Sequence, residues 1–143
     1  EIYKGPVVLA GGVSDGVALR AAMTLGCDLA YMGTRFIATQ ESMAVQAYKD
    51  MLVTSSLDDV ILTSAFTGLP ASKLRPSLVA AGLDPDALPE RGMINVSEDI
   101  NPDKRPKRWK DTWSAGHSVS GVKDVPPVAE LINRLVAEYD SAA

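Results

Sequence analysis

The fold is decided by Pro6-Val7-Val8-Leu9-Ala10-Gly11-Gly12-Val13-Ser14-Asp15-Gly16 together with Ala30-Tyr31-Met32-Gly33-Thr34-Arg35-Phe36. A short apolar run ends in two glycines and a helix begins at once. A second apolar run then ends in Gly-Thr. Apolar runs bounded by glycine read as buried strands, and two such strands separated by a helix-length segment make a βαβ unit with a parallel sheet. Both glycine-bearing turns then lie at the carboxyl ends of neighbouring strands, on one rim of the sheet. Their backbone N–H groups, with the start of a helix, can accept an anion such as a phosphate. The competing reading of Gly11-Gly12 is a tight turn that needs positive φ or close helix packing, and from the residues alone both stay open.

The rest of the chain is read outward from these turns. Ser14 or Asp15 caps the first helix, whose apolar face is Val17, Ala18, Ala21, Ala22 and Leu25, and Gly26 ends it. A second strand spans Leu29 to Met32. A single helix is expected from Gln40 to about Val53, with Met43, Ala44, Ala47, Tyr48, Met51 and Leu52 on one side. Val60 to Phe66 reads as a third strand. Gly68 and Pro70 open a further helix in which Leu74, Leu78 and Ala81 face inward, Pro76 makes a kink and Gly82 makes the stop. Leu83 to Leu88 adds a short turn, and residues 89–108 read as a linker. Trp109 and Trp113, one helical step apart, are taken as packing residues. Ser114 to Gly121 is expected to be flexible. Asp124, Pro126 and Pro127 introduce a last amphipathic helix with Val128, Leu131, Ile132, Leu135, Val136 and Tyr139 as its stripe.

Composition narrows the function. The chain has 143 residues, 46% apolar and 22% charged, with a net charge of −4. That length suffices for a real core, and the acidic balance argues against nucleic acid or an anionic membrane as partner. No apolar run reaches the roughly 20 residues of a membrane span. The basic run Lys104-Arg105-Pro106-Lys107-Arg108 reads as a solvated loop. Cys27 is the only cysteine, so no internal disulfide can form, which fits a reducing cytoplasm and a small buried hydrophobe. One His, one Cys and no clustered carboxylates give no metal motif. Ser72 and Ser77 have no base nearby in sequence, so nucleophilic catalysis has no support. Arg35 and Glu41 read as structural or solvated pairing rather than ligand contacts. The chain opens on Glu1 and enters a strand within a few residues, from which we expect the carboxyl-terminal part of something larger.

The spacing of Gly11-Gly12-Val13-Ser14-Asp15-Gly16 does not match the dinucleotide fingerprint G-x-G-x-x-G. Paired phosphate turns after the last two strands are instead a feature of (β/α)8 barrels. The segment PVVLAGGVSDGVALRAAMTLGCDLAYMGTRFIATQES resembles the last two barrel strands of the nitronate monooxygenase family, formerly called 2-nitropropane dioxygenases. VILTSAFTGLPASKLRPSL is similar to that family's small second domain, and WKDTWSAGHSVSGVKDV to its segment returning to the flavin.

The resemblance implies an α/β chain, the C-terminal part of a (β/α)8 TIM barrel with a small α/β excursion. Its parts would be the last two βα units over residues 1–56, the second domain and linker over 57–108, and the returning segment with the closing helix over 109–143. It implies FMN as cofactor, and oxidation of alkyl nitronates with O2 to carbonyl compounds and nitrite. By matched position, Gly11 and Gly12 would hold the FMN phosphate through backbone N–H groups, Gly33 and Thr34 would complete the cradle, and Met32 would lie near the flavin edge. His117 stands where relatives often have Gln, so its place is open between flavin-adjacent and polar loop. The family's usual catalytic His has no counterpart, so the catalytic residue is unknown within this chain. The implied partners are a nitronate and O2, with either a missing N-terminal barrel portion or a second copy; isolated, the chain is expected not to turn over nitronate. The rival readings are a related barrel such as an FMN-dependent enoyl-acyl-carrier-protein reductase, separable by its NAD(P)H oxidation, and a non-catalytic partner-binding fragment, separable by sizing and flavin fluorescence.

Overall fold

The computed structural model describes residues 3–66, 68–88 and 110–142. The expected linker, the basic run and Trp109 lie outside these residues. The chain divides into two compact units, residues 1–54 with 116–143, and residues 55–115. No helix among the described residues is long and apolar enough to cross a membrane.

In the first unit, β1 (Val8–Ala10) pairs in parallel with β2 (Leu29–Tyr31), Val8 opposite Leu29 and Ala10 opposite Tyr31. The crossover is α1 (Gly16–Thr24), capped by Asp15, whose carboxylate accepts the Ala18 N–H at 2.7 Å. Gly26 follows at φ 98°, with its own N–H on the Met23 carbonyl and that of Cys27 on Ala22. That pair of bonds is a Schellman stop, which only a residue tolerant of positive φ closes cheaply. Cys27 at its end is half-buried.

The strands are not buried as their composition predicts. Val8, Leu9, Leu29 and Tyr31 are all exposed, Tyr31 at 71%. A two-strand sheet has one covered face at most, so apolar side chains of the other face and both outer edges meet solvent. The apolar face expected on α1 also shifts. Gly16 and Ala22 are buried while Val17, Ala21 and Leu25 are exposed, because the helix rests its amino end on the last helix, α5 (Val128–Ser141). A Cβ on Gly16 would run into the Leu135 carbonyl, the Tyr139 nitrogen and Glu138 Cβ. Glu138 accepts the Gly16 N–H at 2.8 Å, and Arg20 stacks over Tyr139 at 4.9 Å. Of the α5 stripe only Leu131 and Leu135 are buried; Ile132 and Val136 are exposed.

The single helix expected from Gln40 is two. The short α2 (Thr34–Ile37) starts directly after β2, and α3 (Gln46–Thr54) starts six residues later than Gln40. Residues between them are drawn into other bonds. The Gln40 N–H donates to the Pro126 carbonyl, Ser42 Oγ accepts the Ala44 N–H, and Lys49 donates to the Gln40 carbonyl. Met43, taken as an apolar-face residue, is fully exposed. Glu41 caps α5 by accepting the Val128 N–H with both oxygens, a carboxylate at the positive end of a helix.

In the second unit β3 (Val60–Thr63) pairs antiparallel with β4 (Ala71–Leu74). The stretch after Pro70 is thus a strand where a helix was expected, since its main chain is claimed by β3 and its Leu74 N–H by the Trp113 carbonyl. The helix α4 (Arg75–Ala80) begins only then, and Pro76 sits in its first turn, where a missing N–H costs nothing. Gly82 ends it as expected, at φ 76°. Leu74 and Leu78 are fully buried. Ser77 Oγ donates to Leu74 O and accepts the Trp113 N–H, so it serves the fold. Lys73 is buried with its amine against the Thr112 carbonyl and hydroxyl and over the Phe66 ring, and burial pushes its pKa down.

An ion network holds the first unit. Arg35, buried, pairs with Asp124 at 2.7 Å, and Arg134 of α5 pairs with Asp124 and Glu130. The Asp124 carboxyl is held below the usual carboxylate range chiefly by the Arg134 hydrogen bond. Partial burial works against this, and the Arg35 hydrogen bond and both cationic charges add to it.

Two outcomes test this packing. Gly16→Ala should lose about 1–3 kcal/mol in urea unfolding, the usual cost of overpacking; unchanged stability would contradict the α1–α5 contact. A carboxyl with a lowered folded pKa contributes above its unfolded value of about 3.9 and loses the contribution as pH falls through the folded value. Asp124→Asn should therefore destabilise at pH 7, and the gap to the native protein should close below about pH 4. The gap at pH 7 should be on the order of 1 kcal/mol, since solvent screens such pairs and the Asp124 side chain is 40% exposed. A gap that stays constant with pH would contradict it.

Candidate functional site: the rim at the carboxyl ends of β1 and β2

Because β1 and β2 run parallel and in register, Gly11-Gly12 and Met32-Gly33 leave the sheet at the same end. Gly11 and Gly12 adopt φ of 88° and 77°, a region that L residues enter at a cost. Their backbone thus needs glycine whatever they bind. Gly33 is different. Its φ is −98°, open to any residue, so conformation does not demand glycine there. A Cβ added at Gly11, Gly12 or Gly33 would meet nothing within 4 Å. Three bare residues therefore border open space at one end of the sheet.

Gly33 is the N-cap of α2, and the first amides of a helix have no partner within it. Thr34 is buried, and its Oγ1 accepts the Gly116 N–H at 2.9 Å. That bond uses an acceptor lone pair and leaves the hydroxyl hydrogen to donate elsewhere. The start of α1, expected to help receive an anion, is closed to one. Asp15 and Glu138 already hold the Ala18 and Gly16 N–H groups, and their negative charge repels a second anion.

Met32 lines an apolar cavity of about 410 Å³ with Leu19, Phe36, Leu135 and Tyr139 among others. His117 is exposed and opens a 3₁₀ turn, His117–Gly121, in the stretch expected to be flexible. Val119 and Val122 anchor that stretch by being fully buried. The turn packs against α2 and α3, so the structure does bring the returning segment beside Thr34. Arg35 and Glu41 serve pairing and capping as expected. Sequence reasoning missed the Thr34–Gly116 bond and the close approach of Gly121 to Ser14. Two glycines within one Ser/Gly run were the available signal, since glycine also marks close backbone approach. No group of metal-ligating side chains occurs among the described residues.

The chain matches the nitronate monooxygenase family over residues 1–138. Over 114 residues it is 32% identical to a probable nitronate monooxygenase of Staphylococcus saprophyticus, covering 76% of this chain and 32% of that protein. Over 140 residues it is 30% identical to the nitronate monooxygenase of Paraburkholderia phytofirmans, covering 93% of this chain and 37% of the relative. Among solved structures it is similar to FabK from Thermotoga maritima, with TM-score 0.68, 27% identity, and 97% and 45% of the two chains covered. It is likewise similar to nitroalkane oxidase from Streptomyces ansochromogenes, with TM-score 0.67, 25% identity, and 98% and 41% covered. The chain spans about a third of the length of those two curated relatives. With the match running through both glycine turns, the α/β units and the last helix, the chain belongs to the nitronate monooxygenase family.

Proposed function

We propose that the rim at Gly11, Gly12, Gly33 and Thr34 holds the phosphate of FMN, in a flavoenzyme that oxidises alkyl nitronates with O2 to a carbonyl compound and nitrite. The observation that carries this reading is Gly33. Neither its φ nor its neighbours require a missing side chain, so its bareness is best explained by something that approaches the main chain closely. A phosphate fits the donors of the rim: the Gly12 amide, the first amides of α2 and the Thr34 hydroxyl.

In this reading β1–α1 and β2–α2 are the last two units of a (β/α)8 barrel, a fold that places phosphate sites at the loops after its final strands. Bound FMN supplies the redox chemistry of the reaction. The residues of this chain bind and orient. Gly12 offers its backbone N–H, Gly11 turns the main chain while its own N–H donates to the Tyr31 carbonyl at 3.4 Å, Gly33 lets the phosphate approach, and Thr34 donates its hydroxyl while Gly116 fixes its orientation. Met32, which faces the apolar cavity, would meet the flavin edge through its main chain. His117 stands at the start of the segment bonded to Thr34, where it can face the flavin. The family's base for deprotonating a neutral nitroalkane has no counterpart among the residues of this chain, whose part is to bind and orient the cofactor.

Titration of FMN into the purified protein, followed by flavin fluorescence, tests the reading. Gly33→Val should weaken FMN by at least about tenfold through the loss of one charge-assisted hydrogen bond or more, while thermal unfolding stays unchanged, because the side chain enters open space at an ordinary φ. Equal affinity would contradict the cradle. In the complete enzyme, nitrite release with a short alkyl nitronate is expected; oxidation of NAD(P)H with an enoyl thioester in its place would point to a reductase of similar fold.

A further inference from the structure

We infer that residues 116–124 form a strap that sets the spacing between the two glycine turns, with Gly121 and Arg35 as positioning residues of the anion cradle. The inference rests on the proposed anion site for its functional meaning, and on the following contacts for its geometry.

The strap is fastened at both ends to consecutive residues of one turn. At its start the Gly116 N–H donates to Thr34 Oγ1 at 2.9 Å. At its end Asp124 receives Arg35 twice, through its carboxylate at 2.7 Å and its carbonyl at 3.2 Å. Between these ends the chain tightens into the 3₁₀ turn His117–Gly121. There Gly121 lies back to back with Ser14, the residue that joins the Gly11-Gly12 turn to α1. A Cβ on Gly121 would overlap Ser14 Cβ and Oγ. Ser14 Oγ in turn donates to Asp15, the cap of α1. One short segment therefore touches both turns, the first at Ser14 and the second at Thr34 and Arg35.

This matters because the strands cannot do the job alone. Each strand is three residues long, and the pair is bonded along one edge only, so the turns beyond it could drift apart. A 3₁₀ turn rises about 2 Å per residue, which makes the stretch from Gly116 to Gly121 a stiff spacer of roughly 10 Å. Arg35 is buried in its pair with Asp124, which withholds its charge from any ligand. Its role is to seat the strap rather than to bind the anion.

The test uses size complementation at the Gly121–Ser14 contact. Gly121→Ala should weaken FMN binding by an order of magnitude, and Ser14→Gly added to it should restore the affinity to within threefold, because it removes the atoms the new methyl meets. Amide resonances of Gly33 and Thr34, on the other turn, should shift in Gly121→Ala and return in the double variant. Gly121→Ala binding FMN with unchanged affinity, or resonance shifts confined to residues beside 14 and 121, would overturn the inference. Should the native protein fail to bind FMN at all, the cradle reading falls, while the strap is still judged by the resonances. If Gly121→Ala does not fold, Asp124→Ala removes the side-chain half of the Arg35 clamp without adding atoms. It should then shift the Gly11 and Gly12 amides, and their remaining in place would overturn the strap.

Discussion

Parallel strands cannot be joined by a tight turn, because the chain must travel back to the starting end before it can pair again. Between Ala10 and Leu29 that return is made by α1, and the consequence reaches every other feature described. Both strands leave the sheet at the same end, so two glycine turns that are distant in sequence become neighbours. The helix that makes the return must lie on one face, which leaves the opposite face, with Leu29 and Tyr31, open. The last helix then settles against α1 through the gap left by the absent side chain of Gly16.

From this constraint follows a division of labour among glycines. Gly26 and Gly82 stop helices, and Gly16 and Gly121 admit a neighbour's backbone or side chain. Gly11 and Gly12 turn the chain through positive φ. Gly33, the N-cap of α2, needs glycine neither for its φ nor for its neighbours. Arg35 is spent on Asp124, Glu41 on the start of α5, and Asp15 and Glu138 on the start of α1.

Much of this was legible in the sequence where one local rule dominated. The two strands, the Asp15 cap, the glycine stops and the last helix each follow from a short pattern with one physical cause. The two-turn rim was legible too, because parallel pairing follows from the order strand, helix, strand. Legibility failed where a distant partner outweighed a local preference. Gln40 to Val45 has an apolar pattern suited to a helix, but its main chain is bonded to Pro126 and to Lys49. Ala71 to Leu74 lies behind a proline that suits a helix start, yet pairs with β3 and with Trp113. The Ser/Gly run before Val122 looks flexible in composition, and two buried valines together with the Gly116 bond to Thr34 hold it in place. The exposure of the strands was hidden for another reason: composition reports what a surface could bury, not which neighbours cover it.

The central claim is that this rim recognises a phosphate through main-chain amides. Riboflavin has the ring system of FMN without that group, so paired titrations of the two flavins into the same protein isolate it. Two or more charge-assisted hydrogen bonds of about 1.5–3 kcal/mol each correspond to at least about a hundredfold in affinity. FMN should bind tighter than riboflavin by that factor or more. Equal affinities for the two would contradict it.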